Sequence, residues 1–236
     1  MSESPSPRDA SNWARKTVAL KVGSTPPEAL NLNVDGRQVV GPLQGFGQLW
    51  QKTYRVQLRG CAASPEEVIA VWKAHFPEFQ PPQNRFFPSV AGVAPGEVVL
   101  INAALQGMPI STGVLVLYAD EVSFTLMTPE GHPESGWVTF SAWHENGCTV
   151  CQVQSMARAN DPIYEIGFVL GGGAAQEAIW RHVLTSLAAH HGVIDQPVQF
   201  EKQCVDRRLQ WGQAQNIWQN AAIRSLLYAL ARPFSK

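Results

Sequence analysis

The chain has 236 residues, 45% of them apolar and 16% charged, and its 18 basic and 19 acidic side chains leave a formal net charge of −1. That length suits one large domain with extensions. A typical soluble domain carries about 25% charged residues. The composition therefore excludes a disordered chain, and the balanced charge excludes a broad electrostatic footprint for nucleic acid. No run approaches the roughly 18 apolar residues of a membrane span.

Met1 to Asn12 is Ser/Pro-rich with no apolar run, so it reads as a frayed start and not as a secretory leader, which places the chain in the cytoplasm. Asp35-Gly36, between Leu32-Asn33-Val34 and Gln38-Val39-Val40, predicts a hairpin. Leu49 to Leu58 has period two and predicts a strand, stopped by Gly60. Ser64-Pro65-Glu66-Glu67 has the form of a capping box with proline at the first helical position. Val68, Ile69, Val71, Trp72 and Phe76 then recur at helical spacing. Pro77, Pro81, Pro82 and Pro88 make 77–96 a proline-bound loop with at most one helical turn.

Five strand-like runs follow: 97–105, 110–118, 122–127, 137–143 and 148–157. The first two are nearly all apolar, which predicts strands covered on both faces or lining a pocket, with Gly113 as a bulge in the second. The linkers, among them Asn146-Gly147, are too short for parallel crossovers. They predict an antiparallel meander of five strands, six with the run near Tyr54. Asp161-Pro162 opens a helical region. Gly171-Gly172-Gly173 interrupts it as a hinge or helix break, since the residues around it match no phosphate loop. Residues 174–191 resume as a helix with Ile179, Trp180, Val183, Leu184 and Leu187 on one face, ended by Gly192. A short polar segment follows Pro197, and Trp211 to Arg232 predicts a last helix.

This order predicts an α+β fold in which a curved antiparallel sheet of about six or more strands wraps a long C-terminal helix. A gap between such a helix and sheet is a natural apolar ligand site. Gly45-Phe46-Gly47-Gln48-Leu49-Trp50, the segment Thr128 to Gly136 with Gly131-His132-Pro133-Glu134, and Ser155-Met156-Ala157-Arg158 resemble an uncharacterised bacterial family. That family is grouped with the START/Bet v 1-like (SRPBCC) superfamily. The resemblance covers about residues 45–190 and implies a helix-grip fold over a hydrophobic cavity. The chain departs from that pattern in its first 45 or so residues, in its extension past Gly192 and in the triple glycine. The corresponding division is an N-terminal segment (1–44) with a disordered start and a hairpin, a helix-grip domain (45–192) and a C-terminal helical extension (193–236).

Trp72, Tyr118, Phe124, Trp137 and Trp143 read either as the aromatic wall of a ligand cavity or as a solid core. Which strand face points inward is a question of parity that one bulge inverts. Arg158 reads as an anchor for a ligand anion or as an ion-pair partner of Asp161 or Glu165. His132 and Glu134 read as an acid/base pair at the cavity mouth or as parts of a turn. Gln152 and Gln154 read as outward-facing. Cys61, Cys148, Cys151 and Cys204 form no disulfide framework, and Cys148-x-x-Cys151 lacks the partners of a zinc site, so neither metal nor cofactor is expected. The leading reading is binding of a small hydrophobic, lipid-like or aromatic molecule without catalysis. The alternatives are a cyclase- or hydrolase-like enzyme using His132, Glu134 and Arg158, and a structural protein with a filled core. No nucleic-acid partner or membrane span is expected, and the C-terminal helix offers a homodimer contact.

Overall fold

The computed structural model describes residues 9–23, 26–105 and 107–231. The frayed start expected over residues 1–12 lies largely outside them; Ala10–Asn12 is a 3-10 turn capped by the Asp9 side chain. Strand β1 (Leu49–Leu58) leads into α1 (Pro65–Ala74) and then β2 (Asn84–Phe87). The meander comprises β3 (Val98–Leu105), β4 (Met108–Ala119), β5 (Ser123–Met127), β6 (Glu134–Glu145) and β7 (Cys148–Ala159). Helix α2 (Pro162–Gly167), a π-turn (Phe168–Gly172) and α3 (Gly173–His190) follow, then β8 (Gln199–Asp206), a 3-10 segment (Trp211–Gln219) and α4 (Ala221–Ala231).

The eight strands form one antiparallel sheet in the order β2-β3-β4-β5-β6-β7-β1-β8. Helices α1 and α3 pack on its inner face, where Val68, Ile69, Val183 and Leu184 join Tyr54, Val116, Phe140 and Val153 in one cluster. A curved antiparallel sheet closed over a long helix in this way is a helix-grip architecture. The capping box of α1 forms as its spacing predicts: Ser64 Oγ accepts from Glu67 N at 3.2 Å, and Glu67 Oε2 accepts from Ser64 N at 2.8 Å.

The outer face is covered as well. Leu20 and Val34 of the N-terminal segment pack on Phe87, Val98, Leu100 and Leu115. Strands β3 and β4 thus bury Val99 and Val116 on one side and Leu100 and Leu115 on the other, which is the physical meaning of their nearly unbroken apolar runs.

Several local expectations change. Asp35-Gly36 makes a turn but no hairpin ladder. Asn33 Nδ2 donates to Ser111 O at 2.8 Å and Val34 is fully buried, so the segment is pinned to the sheet before it can pair with itself. Within the proline-bound loop, 84–87 forms β2, because Pro81, Pro82 and Pro88 flank it without interrupting it. Gly113 is not a bulge. A Cβ there would lie 2.7 Å from Val99 O and 3.1 Å from Val34 Cγ2, so this glycine lets the N-terminal segment approach. The register shift falls instead between Val116 and Tyr118.

The extension past Gly192, expected to be helical, first adds β8. Phe200 of β8 stacks on Tyr54 at 4.7 Å between ring centroids, and the remaining polar side chains suit an edge strand. The last helix is broken at Asn220, which caps α4 by accepting from Ile223 N at 3.0 Å. The Asn220 Nδ2 donates to Asp161 Oδ2 at 2.8 Å, while Asp161 Oδ1 caps α2 by accepting from Ile163 N and Tyr164 N. One buried contact therefore couples the caps of two helices.

The loop between β5 and β6 is clamped by this C-terminal segment. Gly131 has φ 82°, its carbonyl accepts from Ala221 N at 2.9 Å, and a Cβ on it would lie 2.1 Å from Gln219 O. Gly131→Ala is therefore expected to cost about 2 kcal/mol or more, as strained φ and a backbone clash add. Urea unfolding of the variant measures this; a loss within a few tenths of a kcal/mol would refute the clamp.

Candidate functional site

The space between helices and sheet divides into two halves. Beside α1 it is solid: Phe124 and Phe140 stack at 4.6 Å, and Trp72 meets them edge-on at 6.0 and 5.2 Å. Trp72 and Phe124, candidates for a cavity wall, are core filling, with edge-to-face geometry that adds to their burial. Beside the first turns of α3 the space is open. A cavity of about 150 Å³ lies between Ile101, Val114 and Leu126 of the sheet and Phe168, Ile179 and Trp180 of the π-turn and helix. An apolar cavity of about 150 Å³ is large enough to admit one benzene ring.

The triple glycine forms the roof of this half. Gly171 has φ 122° and ψ −13° inside the π-turn, so the grip helix kinks where only glycine is comfortable. A Cβ on Gly172, a cavity-lining residue, would lie 2.9 Å from Gly167 O. The break therefore lifts the chain over the cavity while α3 resumes beyond it.

Three other candidates lie on the outer face. The register shift after Val116 turns Tyr118 outward, where its ring meets Trp13 at 4.8 Å. Trp143 opposes Val150, out of phase with inward Ala142. Trp137 adjoins the cavity but alternates with inward Val138 and is 37% exposed, so its ring belongs to the outer side. Gln152 and Gln154 do face outward, bonded to Arg55 Nε at 2.8 Å and Thr53 Oγ1 at 3.1 Å.

Arg158 is buried and occupied. Its Nη1 donates to Gly47 O at 2.7 Å and Arg208 O at 2.9 Å, and its Nη2 donates to Asp206 Oδ2 at 2.6 Å. It is thus a tie between β7, the entrance to β1 and the end of β8, in place of a ligand anchor. Its ion-pair partner is Asp206, not Asp161 or Glu165.

His132 and Glu134 both line the cavity. His132 Nδ1 lies 3.0 Å from Glu134 N and 3.1 Å from Glu134 O, so this ring nitrogen is held by the backbone two residues on. Burial lowers the pKa of His132 to about 4. An imidazole neutral at pH 7 is a hydrogen-bond donor and acceptor in the wall, not a charge. Because its folded pKa lies below the unfolded value near 6.5, the unfolded chain binds more protons between these limits. The resulting stability is present above pH 6.5 and is lost as pH falls towards 4, with a magnitude of up to about 3 kcal/mol. Denaturant titrations at pH 7.5 and 4.5 check this: wild type should lose more stability between them than His132→Gln, and equal losses would refute it.

Two residues that the sequence reading passed over complete the polar end. Lys52 follows the alternation of Tyr54, Val56 and Leu58 and so points inward. Gln176 lies one turn before Ile179 and Trp180 on the cavity face of α3. Lys52 Nζ donates to Gln176 Oε1, Gln176 Nε2 donates to Glu134 Oε2, and Lys52 lies 3.9 Å from Glu134 Oε1. Burial lowers the Lys52 pKa, opposed by the Glu134 charge. A second pocket, of about 130 Å³, is lined by Trp50, Lys52, Glu165 and Lys202. It shares Glu134, Ala157 and Phe168 with the apolar cavity. Burial raises the pKa of Glu165.

Cys151 is buried in the core and its thiol is pushed up to about 12 by burial, while Cys148 Sγ donates to Glu145 O in the adjoining hairpin. Among the described residues no group of three or more His, Cys, Asp or Glu is placed to hold a metal ion, and no helix is long and apolar enough to cross a membrane.

The chain thus presents a helix-grip fold with an apolar cavity and a polar end, and it is similar in fold to Bet v 1-like and START structures. One is a START superfamily protein from Mycobacterium smegmatis, at 17% identity and TM-score 0.43 over 61% of this chain and 99% of that one. A second is Ara h 8.0201, at 13% identity and TM-score 0.40 over 60% of this chain and 99% of that one. A third is the di-domain ARO/CYC StfQ from the steffimycin biosynthetic pathway, at 11% identity and TM-score 0.46 over 61% of this chain and 50% of that one. No protein-family model and no curated protein matches the chain. The helix-grip description rests on the chain's own strand order and helix placement.

Proposed function

We propose that the chain binds a small, mainly apolar molecule about one aromatic ring in size in the cavity under the π-turn. The observation that carries this reading is the divided core: large aromatics fill the half beside α1, while an apolar space of about 150 Å³ remains beside α3. That space is too small for a sterol or a diacyl lipid, which narrows the ligand class from lipid-like molecules to single rings and short chains. Native mass spectrometry of the purified chain, with titration of toluene, indole and short alkanols followed by NMR, tests the reading. Saturable binding of at least one supports it, and no binding across the panel removes it.

No catalysis is assigned. His132 and Glu134 stand at the wall, and the bonds of Arg158 to Gly47, Arg208 and Asp206 speak for a structural role over a catalytic one. Four free thiols support a reducing compartment such as the cytoplasm, and the net charge of −1 supports a small-molecule partner over nucleic acid.

A contact between two copies through α4 is a second reading. Ala221, Ala222 and Ser225 bury one side of that helix, whereas Leu227 and Leu230 remain 61% and 60% exposed. Sedimentation of wild type against a Leu227→Glu/Leu230→Glu variant decides it, a monomeric wild type being the negative result. Truncation at Gly192 is unsuitable because it removes β8 and Asp206.

A further inference from the structure

Lys52 is a buried cation beside the cavity, whose lining also holds two side-chain atoms, Trp180 Nε1 and Thr112 Oγ1, without a hydrogen-bond partner among the described residues. The lysine side chain is 11% exposed, and among the described residues it has one hydrogen-bond acceptor, Gln176 Oε1, with Glu134 farther off at 3.9 Å. An ammonium has three donors, and a buried one left short of acceptors is costly. Lys52 also lines the second pocket, where Trp50 and Phe168 supply aromatic surface. That pocket and the apolar cavity meet at Glu134, Ala157 and Phe168. A ring held in the cavity can therefore direct one substituent past this junction towards the lysine.

The charges of the junction select the substituent. Glu134 and Glu165 stand with Lys52 and Lys202 in the second pocket, so the group is formally neutral before a ligand arrives. A carboxylate would face two like charges and carry its own desolvation cost. A neutral oxygen acceptor meets the free donors of Lys52 without either penalty. We propose that the site recognises a one-ring molecule bearing a neutral carbonyl, an aryl ketone, aldehyde, ester or amide, whose oxygen accepts from Lys52 while the ring fills the apolar cavity. This rests on the cavity reading and adds the polar half of the ligand.

Hydrogen bonds to charged groups contribute enough that one new bond to Lys52 corresponds to about a tenfold gain in affinity. The experiment is calorimetric or NMR titration of the full chain with ethylbenzene, acetophenone and benzoate. Acetophenone is expected to bind about tenfold more tightly than ethylbenzene, with benzoate weaker than acetophenone. In Lys52→Met the preference for acetophenone over ethylbenzene should vanish. Glu134→Gln keeps the lysine and removes a carboxylate, so it should raise benzoate affinity; it also tests the site if Lys52→Met does not fold. Ethylbenzene binding without a carbonyl preference, or a preference that survives in Lys52→Met, overturns the inference and leaves the cavity reading intact. Failure of all three ligands to bind overturns both.

Discussion

Arg158→Met is expected to lose about 3 kcal/mol of stability, because it removes the buried cation that ties three chain segments together. Arg158 donates to Gly47 O, Arg208 O and Asp206 Oδ2, so its loss removes a donor from both carbonyls. Methionine keeps much of the apolar stem but leaves those acceptors unpaired, which is the costly way to break a buried polar cluster. Arg208 Nε still lies 3.0 Å from Asp206 Oδ1, so the carboxylate is not stranded, and the estimate stays at the low end of buried-pair losses. Denaturant unfolding at pH 7 measures the effect; a loss under about 1 kcal/mol would show that the tie is dispensable. The Asp206 carboxyl is held well below the usual range, first by hydrogen bonds from Arg208 and then by Arg158. A lowered folded pKa gives stability that is present above the ordinary carboxylate pKa near 4 and is lost as pH falls through the folded value. The contribution of Asp206 should therefore persist into strongly acid solution.

The second large effect concerns binding. Ala157→Phe is expected to abolish ligand binding, with an affinity loss of about a hundredfold or more, while the fold survives. Ala157 belongs to the wall shared by the apolar cavity and the charged pocket, so one added ring obstructs both. A ring placed in the cavity gains contacts with its apolar lining, so thermal stability should hold or rise. Calorimetric titration paired with a thermal melt separates the outcomes. Retained binding in a folded variant would show that the ligand sits elsewhere, since no ring-sized molecule can share the site with the phenyl group.

The effects of Arg158→Met and Ala157→Phe trace to features that differed in how far they could be read from the residues. The antiparallel order of β3 to β7 was legible because short linkers leave no alternative, and α1 was legible from its capping box. The two-sided burial of β3 and β4 was legible from their lack of polar alternation. Lys52 was also within reach: counting back by twos from Tyr54 puts it inward, and Gln176 follows by one helical turn from Ile179 and Trp180. Tyr118 was misplaced because one extra residue after Val116 reverses parity for everything beyond it. Arg158 was placed beside near sequence neighbours, although its partner Asp206 lies 48 residues on.

From its sequence alone, this protein is committed to the order strand, helix, antiparallel meander and long helix, because periodicity, caps and linker lengths are local properties written in consecutive residues. That order also commits it to a core larger than its charge would suggest. Tertiary structure alone decides which half of that core is filled. Aromatic side chains on α1, β5 and β6 come together only when the sheet closes, and the same residue types are compatible with a solid or a hollow interior. It also decides that His132, Glu134, Gln176 and Lys52 meet at one end of the remaining space. His132 and Glu134 are neighbours in one segment, and only the closure of sheet, loop and kinked helix brings Lys52 and Gln176 to them.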